Sequence, residues 1–222
     1  MRNAVAIDEM IVTIDNAGCI GEKEADLVQV PNEVNAYFTA RVAVLEQWCA
    51  GAKPAQLLLA NFSGNDAWDG YLRGFQQVFD EISEPLPPVT GSSESNFESL
   101  QSGLSLTIIG RPTFHVTKID CQFFLVGMPL VGDAVIANAQ KVAKLGEIHT
   151  ALQANIVTAV WPTGSKGIGA EIERFIGAGY TCDIDLQCSA GPSTAVLVAV
   201  REEFVEKFNK LITAPVKKIY RA

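Results

Sequence analysis

Between Asn35 and Ile82 the spacing of apolar residues changes period twice, from helical to extended and back to helical. Phe38, Val42, Leu45 and Cys49 follow i, i+4, i+7, i+11, which places them on one buried stripe of a helix running from Asn35 to Ala50. Gly51 is positioned as its C-cap and Pro54 lies just beyond. Asn35, Thr39 and Glu46 recur beside that stripe as a polar edge. Gln56 to Phe62 is a continuous apolar strand, and Ser63-Gly64-Asn65-Asp66 supplies turn and N-cap chemistry. Trp68, Leu72, Phe75, Phe79 and Ile82 then set the inward face of a second helix, which Pro85, Pro87 and Pro88 terminate. A chain that switches period in this way builds mixed sheets and helices.

The pattern extends to both ends. Met10 to Ile14 reads as a strand ending in a turn at Asp15-Asn16-Ala17-Gly18, and Leu27 to Val30 as another stopped by Pro31. After the polar loop Gly91-Ser92-Ser93-Glu94-Ser95-Asn96 comes the strand Leu104 to Ile109, and Arg111-Pro112 marks a domain boundary. Beyond it, Phe123–Val126, Tyr180–Leu186 and Ala195–Val200 are strands, and Ile156–Trp161 is another apolar stretch. Asp133–Leu145, a segment from Gly167 toward Phe175, and Arg201–Ile212 are helices, with Gly146 ending the first of them. The expected class is α+β, with domains at 1–112 and 113–222.

Of 222 residues, 48% are hydrophobic and 19% charged, so a core forms without disulfide staples. The 17 basic and 25 acidic side chains leave a net charge of −8, which argues against a nucleic-acid scaffold. Surface acids chiefly keep a protein soluble, and carboxylates also recruit Mg²⁺. Cys19, Cys49, Cys121, Cys182 and Cys188 show no metal or redox spacing and read as small buried hydrophobes in a reducing compartment. Asp8 interrupts the start of the chain before a signal-peptide core forms, and no apolar run reaches the roughly 20 residues of a membrane span. A soluble, cytoplasmic protein without membrane or nucleic-acid partners is expected.

Four groups carry possible chemistry, each with an ordinary alternative. Asp15 and Asn16, at a strand end, either coordinate Mg²⁺ or cap their own backbone in an Asx-turn. Glu46 lies beside the core residues Leu45, Trp48 and Cys49, where it needs a cation or a metal, unless it is a solvated helix edge. Gly91, Ser92 and Ser93 offer backbone N–H groups that cradle phosphate while Glu94 holds a metal, or they form a serine-rich turn. Gly164-Ser165-Lys166-Gly167-Ile168-Gly169 opens a helix, so its N-terminus and Lys166 can face an anion, although it matches neither the P-loop nor the dinucleotide fingerprint. His115 and His149 lack a Ser or Cys partner and read as structural.

Taken in order, these pieces resemble the AIR-synthase-related (PurM-like) superfamily, which includes aminoimidazole-ribonucleotide synthase, thiamine-monophosphate kinase, selenophosphate synthetase and hydrogenase maturation proteins. Its Asp-Asp-Ala-Ala motif is similar to Asp15-Asn16-Ala17-Gly18. Its Asn-Leu-Ser-Asp and Met-Gly-Ala-x-Pro motifs are similar to Ala43-Val44-Leu45-Glu46 and Ala50-Gly51-Ala52-Lys53-Pro54. Its Gly-Gly-Asp-Thr loop resembles Gly91-Ser92-Ser93-Glu94, and the kinases' Ser-Asp-Gly-Leu resembles Ser165-Lys166-Gly167-Ile168. Asn16 and Lys166 stand where the family has acids. The short chain, with Asn96 and Gln101-Ser102-Gly103, most resembles the α-ribazole kinase branch, which phosphorylates the 5′-hydroxyl of α-ribazole in cobamide lower-ligand salvage.

The resemblance implies an N-terminal mixed sheet that pairs across a homodimer into a β-barrel, and a C-terminal α/β sandwich. It implies ATP and Mg²⁺, with Asp15, Glu46 and Glu94 on the metal. Gly91, Ser92, Ser93, Asn96 and Asn16 would lie on the nucleotide, and Lys166 and Glu94 at the transferring phosphoryl. The acceptor would be nucleoside-like. A cyclo-ligase of the AIR-synthase type, or a non-catalytic dimeric nucleotide-binding protein, are the alternatives.

Overall fold

Pro31 fixes the entry to the longest helix, α1 (Asn32–Cys49), and Gly51, with φ +75°, turns the chain out of it into a strand. The computed structural model describes all 222 residues, which divide into two compact units, Met1–Thr113 and Phe114–Ala222. The first unit is built on five strands, β1 (Val5–Ile7), β2 (Met10–Gly18), β5 (Ala52–Asn61), β6 (Val89–Ser93) and β7 (Gly103–Pro112). Their order is β1-β2-β7-β5-β6, antiparallel except for the β5–β6 pair. Two short strands, β3 (Ile20–Gly21) and β4 (Val28–Gln29), pair in parallel in the loop after β2.

Burial alternates along β7 as far as Gly110 and along β5 on either side of the irregularity at Ala55–Gln56, so each presents one face to the helices and one away from them. Helix α1 lies on β2, β7 and β5 and is covered by α2 (Trp68–Glu81). Sandwiched in this way it buries residues on nearly every side, including Arg41, Glu46 and Gln47. Phe38 of the expected stripe is half-buried, whereas the polar edge Asn35, Thr39 and Glu46 is buried throughout. Gln47 Nε2 donates to the carbonyls of Ile11 and Ile108, pinning α1 to the sheet, while its buried Oε1 has no partner.

Two readings of this half require correction. Asp15-Asn16-Ala17-Gly18 does not turn. The strand continues because β7 pairs with it residue for residue from Ile11↔Gly110 to Gly18↔Gly103, overriding weak local β-propensity. Gly91-Ser92-Ser93 is likewise not loop but edge strand β6. The segment from Gly18 to Val30 is tied down by Asp26, a buried carboxylate that accepts from Ser102 N–H (2.7 Å), Ser102 Oγ (2.6 Å) and Lys23 N–H (2.9 Å). Asp26→Ala strands those donors and is expected to cost about 2–3 kcal/mol, read as a lower urea midpoint for the first unit.

In the second unit the sheet order is β10-β12-β8-β11-β9, all antiparallel, from β8 (Cys121–Val126), β9 (Val157–Pro162), β10 (Tyr180–Thr181), β11 (Val196–Arg201) and β12 (Val216–Arg221). Every residue of β9 and all but the last of β11 are buried, which explains their unbroken apolar runs. Its helices are α3 (Asp133–Ala137), α4 (Leu145–Gln153), α5 (Ile168–Ile176) and α6 (Val205–Leu211). The expected helix Asp133–Leu145 therefore breaks after Ala137, and Gly146 lies inside the next helix. The expected strand Tyr180–Leu186 is two residues long. No helix is long and apolar enough to cross a membrane.

Candidate functional site

Strand alternation sends Thr13 and Asp15 toward α1, and Ile14 and Asn16 to the opposite face. Thr13 Oγ1 donates to the Ala43 carbonyl at 3.0 Å, which sets β2 against the middle of the helix. Asp15, two residues on, is half-buried. Burial pushes its carboxyl up to about 7; Glu46 adds to the rise, while the Asn16 amide and the Arg2 guanidinium oppose it. Asp15 and Asn16 thus serve different faces, and within this unit one ligand on a single face of the sheet meets one of them.

Glu46 is 1% exposed, so the solvated-edge reading fails. Its partner is a cation from the protein itself. Arg2 Nη1 donates to Oε1, Asn3 N–H donates to Oε2 at 3.2 Å, and Asn3 Nδ2 to Oε1 at 3.3 Å. Sequence reasoning missed Arg2 and Asn3, since no periodicity links residues 44 positions apart. Burial beside Glu46 raises the Cys49 thiol to about 11, consistent with an inert hydrophobe; all five cysteines are free.

Edge strand β6 carries the other nucleotide candidates. Leu57 N–H donates to the Pro88 carbonyl and Glu94 N–H to the Asn61 carbonyl, so parallel-ladder alternation turns the amides of Val89, Gly91 and Ser93 toward the open edge. Gly91 is required there, because a Cβ would sit 1.9 Å from the Leu59 carbonyl oxygen. Asn61 Nδ2 donates to Ser93 Oγ at 2.9 Å, and Glu94 Oε1 accepts from Asn96 N–H at 2.7 Å, closing the turn that follows. Register places Asn16, Ser105, Ala60 and Ser92 in one row across the open face, with Asn16 and Ser92 at its two ends, three strand spacings apart.

The three acids assigned to one metal do not meet. β7 and β5 lie between β2 and β6, so three strand spacings, roughly 14 Å, separate Asp15 from Gly91 in its own row, and Glu94 lies three residues further along. No group of three or more His, Cys, Asp or Glu side chains is poised to hold an ion. Mg²⁺ commonly takes one or two carboxylates and completes its shell with phosphate and water. Glu46, however, is buried with both oxygens held by Arg2 and Asn3, which of the three acids leaves Asp15 as the one on the helix-covered face not already held by them.

In the second unit, Gly164–Gly167 does open helix α5, with Gly167 at φ +88°. Lys166 is exposed. The first two helical amides are already used: Ile168 N–H donates to the Cys188 carbonyl (3.2 Å) and Gly169 N–H to that of Leu186 (2.9 Å). The helix end that was to accompany Lys166 is therefore partly satisfied by the chain itself.

No protein-family model matches this sequence, and no curated protein sequence matches it either. Solved structures do match. Thiamine monophosphate kinase from Aquifex aeolicus superposes with a TM-score of 0.63 at 12% identity, over 99% of this chain and 87% of that one. The hydrogenase maturation protein HypE gives 0.62 at 10% identity, over 95% and 80%. T. maritima PurL complexed with AMPPCP gives 0.59 at 10% identity, over 99% of this chain but 42% of PurL. The fold is PurM-like. The two units, spanned together by each of these matches, accord with the expected α+β class, while identities this low carry the fold and not the chemistry.

Proposed function

We propose that the chain is an ATP- and Mg²⁺-dependent small-molecule kinase whose acceptor is a nucleoside-like hydroxyl, with α-ribazole the first to test. The observation that carries this reading is the PurM-like fold, matched along 99% of the chain by a thiamine monophosphate kinase. Phosphoryl transfer asks a protein chiefly for positioning and charge stabilisation, so no dedicated nucleophile is needed. Asp15 would be the Mg²⁺ ligand in this reading, Glu46 being held by Arg2 and Asn3; the outward amides of Gly91 and Ser93 and the Ser92 hydroxyl, three strand spacings away on the sheet edge, would meet a separate part of the nucleotide. Lys166, exposed where α5 opens in the second unit, would meet an anion there. Glu94, Asn96 and Asn16 would engage parts of the nucleotide beyond the metal.

The open face of the first sheet supports a homodimer. Val5, Ile7, Met10 and Ile14 are 58%, 50%, 41% and 54% exposed there, beside the half-buried Val12 and Ile109. A second copy laid on this face would bury that surface and close the edges into a barrel.

The assay is incubation of the full chain with labelled ATP, Mg²⁺ and α-ribazole, followed by identification of the product. Transfer of the γ-phosphoryl to the 5′-hydroxyl supports the reading, and nucleotide bound without transfer to any nucleoside counts against it. A second reading, a nucleotide-binding protein without catalysis, is favoured by the Arg2–Glu46 pair, which occupies an intended metal ligand.

A further inference from the structure

Three connecting segments, 19–30, 62–67 and 94–102, meet at the end of the first sheet where β2, β5 and β6 finish and β7 begins. Hydrogen bonds stitch them together. Gln101 Nε2 donates to the Ala25 carbonyl and Ser99 Oγ to the Phe62 carbonyl, both at 2.7 Å. Leu100 lies between those two donors. Leu27, Phe97 and Leu100 are 83%, 81% and 82% exposed, and Phe62 54%. A single exposed apolar side chain is ordinary, but four on segments tied to one another form a patch of the kind that marks an interaction surface.

Charge says what covers it. The same segments, continued into the first turn of α2, hold seven acids against the single base Lys23, which is six of the chain's eight net negative charges. Asp26 alone among these acids is buried. Because β7 lies between β2 and β5, Glu22 and Glu24 flank the patch on one side and Asp66 and Asp69 on the other, with Glu98 between Phe97 and Leu100.

We infer that this end of the first unit is a docking surface for a basic amphipathic helix of a partner protein. Its apolar stripe would cover Leu27, Phe62, Phe97 and Leu100, and its lysines or arginines would face the acids on either side. A helix with apolar residues at i, i+3, i+4 and i+7 between two basic flanks matches both the patch and its rim. A second copy joined two-fold through this surface would set like charges against each other, and nucleic acid or an anionic membrane is repelled in the same way. The acids speed and orient the encounter, while the apolar anchors hold the complex.

The probe is a synthetic leucine–lysine peptide of about 18 residues with amphipathic helical spacing, titrated with the full chain by fluorescence anisotropy beside a leucine–glutamate counterpart. The leucine–lysine peptide should bind with a Kd of about 10 μM or below and weaken about tenfold as salt rises from about 0.05 M to about 0.5 M. Phe97→Ser with Leu100→Ser leaves every charge in place and should weaken binding about tenfold, as should Glu24→Lys with Glu98→Lys. All four positions are exposed, so the circular dichroism of both variants should match the parent. Equal binding by the parent and the Phe97→Ser, Leu100→Ser chain means that charge alone attracts the peptide, and overturns the inference. So does absence of binding, or equal binding of the leucine–glutamate peptide. Self-association abolished by Phe97→Ser with Leu100→Ser, in place of peptide binding, assigns the surface to a second copy and overturns it as well.

Discussion

Asp15→Asn is expected to yield a chain more stable than the parent above about pH 7 and deficient in Mg²⁺-dependent phosphoryl transfer. The stability half follows from proton linkage. A carboxyl ordinarily titrating near 4 does so at about 7 in the fold, because burial disfavours its charge. Between those values the folded state keeps a proton that the unfolded state has released, so stability falls as pH rises from about 4 to 7 and stays lower beyond. Asparagine carries no charge to desolvate. At one pKa unit per 1.4 kcal/mol, and with screening of a half-buried group allowed for, the variant should gain about 2 kcal/mol at pH 8 and nothing near pH 4. Urea unfolding at the two pH values checks this. If Asp15 holds Mg²⁺ as proposed, its removal should lower kcat/KM on the order of 10²-fold or more. A substitution that stabilises while disabling marks a residue retained for chemistry.

Gly91→Ala is expected to damage stability and nucleotide binding together. Its Cβ would lie 1.9 Å from the Leu59 carbonyl oxygen and 2.8 Å from the Leu59 carbonyl carbon, which are backbone atoms of the neighbouring strand with no rotamer to change. Relief requires β6 to draw away from β5, breaking ladder bonds and the Asn61–Ser93 contact. The expected loss is about 3 kcal/mol, at the upper end for overpacking. Fluorescence-monitored unfolding reads the first effect. Calorimetric titration with Mg–ATP, at a temperature where the variant remains folded, reads the second, through displaced Gly91 and Ser93 amides.

What sequence revealed was whatever local periodicity encodes. Val42, Leu45 and Cys49 marked α1, Gly51 its end, and the Trp68–Phe79 stripe α2, because each pattern is written within a few turns of chain. Strand β12 escaped notice because Lys217 and Lys218 dilute a six-residue segment whose extended form comes from pairing with β8. Asp15 to Gly18 was read as a turn from side chains with poor strand propensity, and eight registered partners on β7 overrule them. The burial of Glu46 was half legible in its apolar neighbours. Its partner was not, since Arg2 reaches it through tertiary packing. The acids separated for the same reason: sequence order recorded their recurrence, but sheet order β1-β2-β7-β5-β6 places Glu94 on the far strand's end.

The most direct measurement is isothermal titration of the full chain with ATP, with and without Mg²⁺, repeated for Asp15→Asn at pH 8. The account predicts micromolar or tighter binding that requires Mg²⁺ and is lost in the variant, while the variant's unfolding midpoint rises. Binding that ignores both Mg²⁺ and Asp15, or its absence in a folded parent chain, would contradict it.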